Sequence, residues 1–578
     1  MNDVSNAPQA TSTPDATAGR LIVIGLAVLA VTAGLIYWFY TRAHETDFQQ
    51  SLIHSLIAGG IGGLAGLVMI QIGLRRLGYR PVLPAVLGTG LLLAIACLRF
   101  EGFSGEMVPT FAWRWSGTGR IQPMQSDPKG TSAADAPIQS MDEDEAIDSV
   151  PDHLIARFPQ FLGPHRNGVL PQRSFAIPTS VGEVDQLWKI GVGSGWASFA
   201  VSDGLAVTLE QRDRQEWVTA YELISGDLIW KVTTDAYHFN ALGGEGPRST
   251  PTIVGDKVYT QGASGRVHCI DLHRGDVHWS VDLLELAGWD QAASESEIEW
   301  GRSGSPLIVD NLCVLPYGAD ESSDDANQRS LIALNADTGD VVWKSGDAQI
   351  SYASAQLIQF APNGAPDSRQ IVIVNEASIT GHAVSDGTVL WSFPWDGDSS
   401  GGANCASVIP VGQDRFLIGK GYGGGSALVQ LSYTGNAWSA DEIWASSRLV
   451  KTKFNHAAID GDIACGISNG MLECVDLTEP DRRWVQPRRD RCGQGQLLLC
   501  QDVLIVQTEP GAISLCEANP REFVELLRLP ALESKTWNIP TVAGRYLLVR
   551  NDRHAICFRF PELAPESTDD ATTDSRDP

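Results

Sequence analysis

The chain lacks most of the residue groupings on which enzyme chemistry is commonly built. None of its 10 cysteines are adjacent, and none form a Cys-x-x-Cys or Cys-x-x-Cys-His pattern. A closed tetrahedral zinc site and a covalently attached haem are therefore unsupported. His-x-x-x-His, Gly-x-Ser-x-Gly and Walker patterns are missing as well. Gly421-Tyr422-Gly423-Gly424-Gly425 lacks the helix and lysine that a phosphate cradle needs, so it reads as a hairpin turn. Positive charge is scarce: 42 Lys and Arg face 69 Asp and Glu, a formal net charge of −27. That balance excludes a nucleic-acid partner and disfavours adhesion to anionic lipid. Long helical periodicity is lacking beyond the first hundred residues.

Glycine and tryptophan are what the chain has in quantity, 58 and 17 respectively. Four times they occur as Gly-x-x-x-Trp closing a short apolar strand: Gly226–Trp230, Gly275–Trp279, Gly339–Trp343 and Gly387–Trp391. A unit returning at about 40–65 residues is the mark of a propeller or solenoid. Each tryptophan is expected to wedge between neighbouring blades, with its indole N–H on a carbonyl. Weaker copies end at Trp444 and Trp484, and another runs from Gln494 to about Leu526. The last half-unit, Trp537–Phe560, lacks a strand, whereas Gln186–Ile190 is a strand without a unit. Pairing the two closes the ring and removes its exposed edges. The expectation is an all-β, eight-bladed propeller over 152–563, with seven blades as the alternative. The acidic stretch Glu321–Arg329 lacks an EF-hand spacing and reads as a solvated insertion.

Three apolar runs precede the repeats: Leu21–Tyr40, Ile53–Leu74 and Val82–Leu98. They are expected to form three transmembrane helices in a membrane domain spanning 21–100, after a disordered cytoplasmic stretch, 1–20. Gly59, Gly62, Gly63 and Gly66 stand at spacings that let helices approach closely. The basic loop Arg75–Arg80 should stay inside, which puts the propeller in the periplasm beyond a multi-pass inner-membrane anchor. Residues 101–151 read as a linker, flexible from about 116, and 564–578 as a disordered acidic tail.

The repeats, with Phe158–Gly168 ahead of them and Lys535–Asn538 and Leu548–Arg553 behind, resemble the PQQ-like β-propeller superfamily and its BamB-like members. The resemblance implies the fold and two functional classes, quinoprotein dehydrogenases and non-catalytic scaffolds. It further implies that a dehydrogenase would stack PQQ on a tryptophan and bridge it through calcium to carboxylate and amide oxygens. Without a cysteine ring or a haem motif, the favoured reading is a non-catalytic, protein-binding scaffold in envelope protein assembly, with no cofactor. The alternative is a PQQ-dependent dehydrogenase passing electrons to membrane quinone. Glu210, Arg248, Glu299, Trp300, Arg302, His456 and Trp537 are the candidate channel or rim contacts. Around the Asn469-Gly470 turn, Cys465 falls opposite Cys474, a pair placed to form a cross-strand disulfide in an oxidising compartment.

Overall fold

A computed structural model describes residues 16–42, 48–79, 82–115, 151–320, 324–365 and 368–563. The expected flexible spacer beyond 116, most of the N-terminal stretch and the acidic tail lie outside the described residues.

The chain divides into two compact units. In the first, α1 (Ala16–Arg42) packs against α2 (Phe48–Arg76). Small residues decide how closely. A Cβ on Gly66 would come within 2.7 Å of Leu29 and 2.9 Å of the Gly25 carbonyl, and one on Gly62 within 2.1 Å of Thr32 Oγ1. Gly73 continues the seam against Ile22, whereas Gly63 faces open space. Both helices are long and apolar enough to cross a membrane. The third expected span is corrected: α3 (Val82–Cys97) has 16 residues, about 24 Å at 1.5 Å per residue, short of the roughly 30 Å hydrocarbon core. Two crossings return the chain to its starting side, so the argument for a periplasmic propeller loses its third crossing. The expected linker also begins with structure, a two-stranded hairpin of Leu98–Phe103 and Pro109–Trp113.

The second unit is an eight-bladed propeller of four-stranded antiparallel sheets. Blades 1 to 7 span 200–234, 252–282, 307–345, 356–394, 409–446, 457–485 and 496–529. Blade 8 takes three strands from 541–559, and its outermost strand is Asp185–Gly191, paired from His554↔Gly191 to Arg559↔Asp185. The ring closes as the unpaired strand requires, and Arg559 fastens it to Asp185 at 2.8 Å. Inner strands are short and buried on both faces, as in Gln496–Cys500, while outer strands such as Leu228–Thr234 alternate.

The repeat has a mechanical explanation. Each docking glycine sits in the turn ahead of an outer strand at positive φ, +74° at Gly226, Gly275 and Gly387 and +81° at Gly339. There it lies on the tryptophan of the preceding blade. A Cβ on Gly275 would meet the Trp230 ring at 2.9 Å, one on Gly339 the Trp279 ring at 2.9 Å, and one on Gly387 the Trp343 ring at 2.6 Å. Gly226 does the same for Trp188 of the closing strand at 2.8 Å. An acid or amide four residues earlier shapes three of these turns by accepting backbone N–H groups: Glu222, Asp271 and Asn335.

The indole N–H reaches across to a carbonyl of the next blade for Trp188 (Leu223), Trp230 (Leu272), Trp279 (Ala336), Trp444 (Leu477) and Trp484 (Asn519). Two copies depart from the expected pattern. Trp391 donates to the Gln370 side chain of its own blade at 2.6 Å, and the Trp343 N–H is buried without a partner. A ring that buries about 200 Å² contributes on the order of 5 kcal/mol gross, several times one hydrogen bond, so docking survives the missing bond.

Gly275→Ala combines left-handed backbone with a clash against Trp230. It is expected to cost about 1–3 kcal/mol, read as a lowered urea midpoint, whereas the same change at Gly255, which faces open space at φ +56°, should cost less.

Candidate functional site

The central channel is built from the starts of the eight innermost strands, and the chain's own N-terminal approach fills one end of it. Phe158 pairs with Val201 and the Pro159 carbonyl accepts from Ile253 N, which leads the following residues inward. Val169–Leu170 then runs parallel to Gln496–Cys500 as a fifth strand inside blade 7. Between these anchors Arg166, 4% exposed, donates to the carbonyls of Pro306, Ser305 and Ala355 at 3.0–3.1 Å. One guanidinium thus ties blade 3 to blade 4 from within, and burial holds its pKa down to about 9. Gly168 lies against His456, where a Cβ would fall 2.2 Å from Nε2.

The opposite mouth carries aromatic and cationic side chains. They come from one position of the repeat, four residues ahead of the innermost strand: Trp196, Arg248, Tyr352, Cys405, Lys453 and Trp537. Trp537 packs on Trp196 (4.7 Å between centroids) and Phe454 (5.0 Å). Across the ring Trp300 stacks on Tyr352 at 4.9 Å and meets Tyr422 at 5.9 Å. Lys535 Nζ lies 4.2 Å from the Trp537 ring centre, and Lys453 Nζ 5.3 Å from that of Tyr422. Half-buried Arg248 donates to the Gly246 carbonyl at 2.8 Å, and burial brings its pKa down to about 10. Burial lowers that of Lys535 too.

These groups are largely engaged within the molecule. Glu509 accepts from Trp537 Nε1 (2.9 Å), Gln494 N (2.8 Å) and Gly105 N (2.5 Å). Gly105 belongs to Phe103–Glu106, four residues that group with the propeller. Lys453 Nζ donates to its carbonyl at 2.8 Å, and Lys535 Nζ to that of Phe103 at 3.2 Å.

Of the residues singled out in the sequence, Arg248, Trp300 and Trp537 meet at this mouth. Glu299 adjoins it, close enough that its charge helps burial raise the Tyr352 phenol. The other three lie elsewhere. Glu210 is fully buried between blades 1 and 8, bonded to Tyr221 (2.6 Å), Thr219 (2.7 Å) and Arg212 (2.8 Å). Burial raises its pKa, but the Arg212 and Arg550 charges outweigh that and hold it low. Arg302 is buried over the Trp289 ring and donates to the Tyr317 carbonyl. His456 lies at the filled end of the channel. Trp196, Tyr352, Tyr422, Lys453, Phe454, Glu509 and Lys535 were missed, although aligning the position four residues ahead of each innermost strand finds three of them, Trp196, Tyr352 and Lys453.

Cys465 and Cys474 stand opposite each other in register, as free thiols. In the acidic insertion, Asp325 is engaged by Lys344 and the Tyr317 hydroxyl. Among the described residues, the one cluster of potential metal ligands is Asp203, Asp256 and His273, largely exposed and away from this mouth.

PQQ bridged through calcium needs a free aromatic face and convergent carboxylate and amide oxygens. The mouth does not fit that need. The faces of Trp537 are engaged by Trp196, Phe454 and Lys535, and Glu509 already accepts three N–H donors.

Residues 214–486, from within blade 1 through blade 6, match the family model of the outer membrane protein assembly factor BamB. Over that stretch, a little under half of the chain, it is similar to this family. Among solved structures it is similar to BamB from Moraxella catarrhalis, with 13% identity, 65% of this chain and 100% of that one covered, and a TM-score of 0.45. A europium-containing methanol dehydrogenase matches at 11% identity over 70% of this chain and 98% of its own, with a TM-score of 0.45. The quinohemoprotein alcohol dehydrogenase from Comamonas testosteroni matches at 12% over 71% and 82%, with a TM-score of 0.39. No curated protein matches the chain.

Four buried histidines set an acid limit on stability. Burial lowers His238 and His456 to about 3, and His268 and His382 to about 4; Arg248 and Arg266 add to this at His238 and His268. An unfolded histidine titrates near 6.5, so below that pH the unfolded chain takes up protons that the folded one refuses. Stability is expected to be flat above pH 7. It should fall toward pH 4.5 by up to about 1.4 kcal/mol per histidine per pH unit, and His456→Gln should reduce the slope in urea titrations.

Proposed function

We propose that, as a PQQ-like, BamB-like repeat propeller, this chain is a membrane-anchored, non-catalytic scaffold that binds protein partners in the bacterial envelope. The observation carrying this reading is the mouth, where the charged side chains that a cofactor would need are committed to the protein's own backbone and indoles. The outer strands supply binding surface instead. Ile229, Val277, Val341, Val342, Val389 and Ile443 are exposed beside the docking tryptophans, on strands whose outer edge is open. Such an edge can take an added strand, with apolar side chains giving selectivity. The matched family's description, an outer membrane protein assembly factor, agrees with a role in envelope protein assembly.

Periplasmic exposure is part of the proposal. With α1 and α2 as the two crossings, it requires the residues ahead of α1 to lie on the same, outer side as the propeller. Alkaline phosphatase fused after Pro578 is then active; an inactive fusion with the protein intact in the membrane would place the propeller in the cytoplasm.

The second reading, a PQQ-dependent dehydrogenase, rests on the aromatic and cationic character of the same mouth. A titration of the whole protein with PQQ and calcium separates the two. The scaffold gives flat tryptophan emission and no dye reduction with alcohols or sugars. Calcium-dependent quenching with dye turnover would make the protein an enzyme.

A further inference from the structure

The mouth over blades 6, 7 and 8 holds a peptide, and the peptide comes from the chain itself. Gly105 is held at both backbone polar groups: its N–H by Glu509 at 2.5 Å, its carbonyl by Lys453 at 2.8 Å. Next to it the Glu106 carboxylate accepts from Arg491 at 2.7 Å and Gln494 at 3.0 Å. Glycine is required at the first position, because a Cβ there would stand 2.5 Å from Gln494 Cβ and 3.1 Å from Phe454 Cζ. An acid is selected at the second by the guanidinium. Lys453, Glu106 and Glu509 are 3%, 5% and 7% exposed, so these are desolvated contacts and not a surface encounter.

The fit is incomplete in one respect. Glu106 Oε2 is buried without a donor. The segment is therefore held by proximity as much as by complementarity, since attachment to the same chain supplies a high effective concentration. A peptide that satisfies the second oxygen competes with it.

We infer that this mouth is a binding site for an extended peptide bearing glycine followed by glutamate, occupied in cis by Phe103–Glu106 and opened to a partner's Gly-Glu segment when that stretch leaves. The inference rests on the scaffold reading and names its binding chemistry. The pair Lys453 and Glu509 reads the backbone of the glycine, the Phe454 wall excludes larger residues, and Arg491 with Gln494 reads the acid.

The test uses the full chain in detergent, as wild type, Gly105→Val and Glu106→Lys. The probe is a fluorescein-labelled nonapeptide with the sequence of residues 100–108. Both substitutions precede the strands that close the ring, and near-ultraviolet circular dichroism of the 17 tryptophans checks that each variant keeps its fold. In both variants Lys453 should become reactive to an acylating reagent, the peptide should bind at least tenfold more tightly than to wild type, and its binding should protect Lys453 again. A peptide carrying the same two changes should not bind. Lys453 staying protected in both variants overturns the proposal, as does peptide binding that is absent or equal in all three proteins. Failure of the scaffold reading is seen separately, as dye turnover with PQQ.

Discussion

The contact between a tryptophan ring of one blade and a glycine of the next organises the propeller. It joins a large apolar surface to a backbone position that only glycine occupies without strain, at φ near +75° and without room for a Cβ. Because the ring and the glycine belong to different blades, no blade completes its core alone. Stability is shared around the circle, and the circle must close. Here closure is made by Asp185–Gly191 pairing with a strand more than 360 residues later. The hydrogen bond on the indole is secondary: Trp343 docks without one and Trp391 takes a side-chain amide instead.

That scheme leaves an axis to be filled, because eight innermost strands meet there without a ninth element of their own. The protein fills it with segments from before the ring. Arg166 satisfies carbonyls from two blades at once, and a two-residue strand pads blade 7. At the other mouth Glu509 accepts from Gln494 N and Trp537 Nε1, and Lys453 donates to the Gly105 carbonyl. A propeller whose axial polar groups are committed internally has its outer strands and its one peptide-lined mouth left for recognition.

Several features were legible in the chain because they depend on local chemistry. The Gly-x-x-x-Trp spacing gave the blades, the Asn469-Gly470 turn gave the register that sets Cys465 against Cys474, and the unpaired strand gave closure. The candidate site was legible only in part. Arg248, Trp300 and Trp537 were found because they flank recognisable strands, but Glu210 and Arg302, which share that placement, point between blades. One residue of register separates the channel from the interior, and polarity alone does not distinguish them. The membrane region misled for a different reason. Hydropathy marks apolar runs, and Val82–Leu98 qualifies, yet the helix ends at Cys97 because the chain turns there into a hairpin.

The sequence by itself determined the repeating unit and its docking tryptophans and glycines, because each follows from spacing and backbone chemistry within some sixty residues; the structure decided eight blades over seven and paired the closing strand across more than 360 residues. The tertiary structure alone decided what lies on the axis. Phe103–Glu106, Gln160–Gly168 and the loops of eight blades are brought together across hundreds of residues, and no local pattern encodes that meeting. The packing of blades 6 and 7 sets Lys453, Glu509 and Arg491 around Gly105 and Glu106, which lie more than 340 residues earlier in the chain.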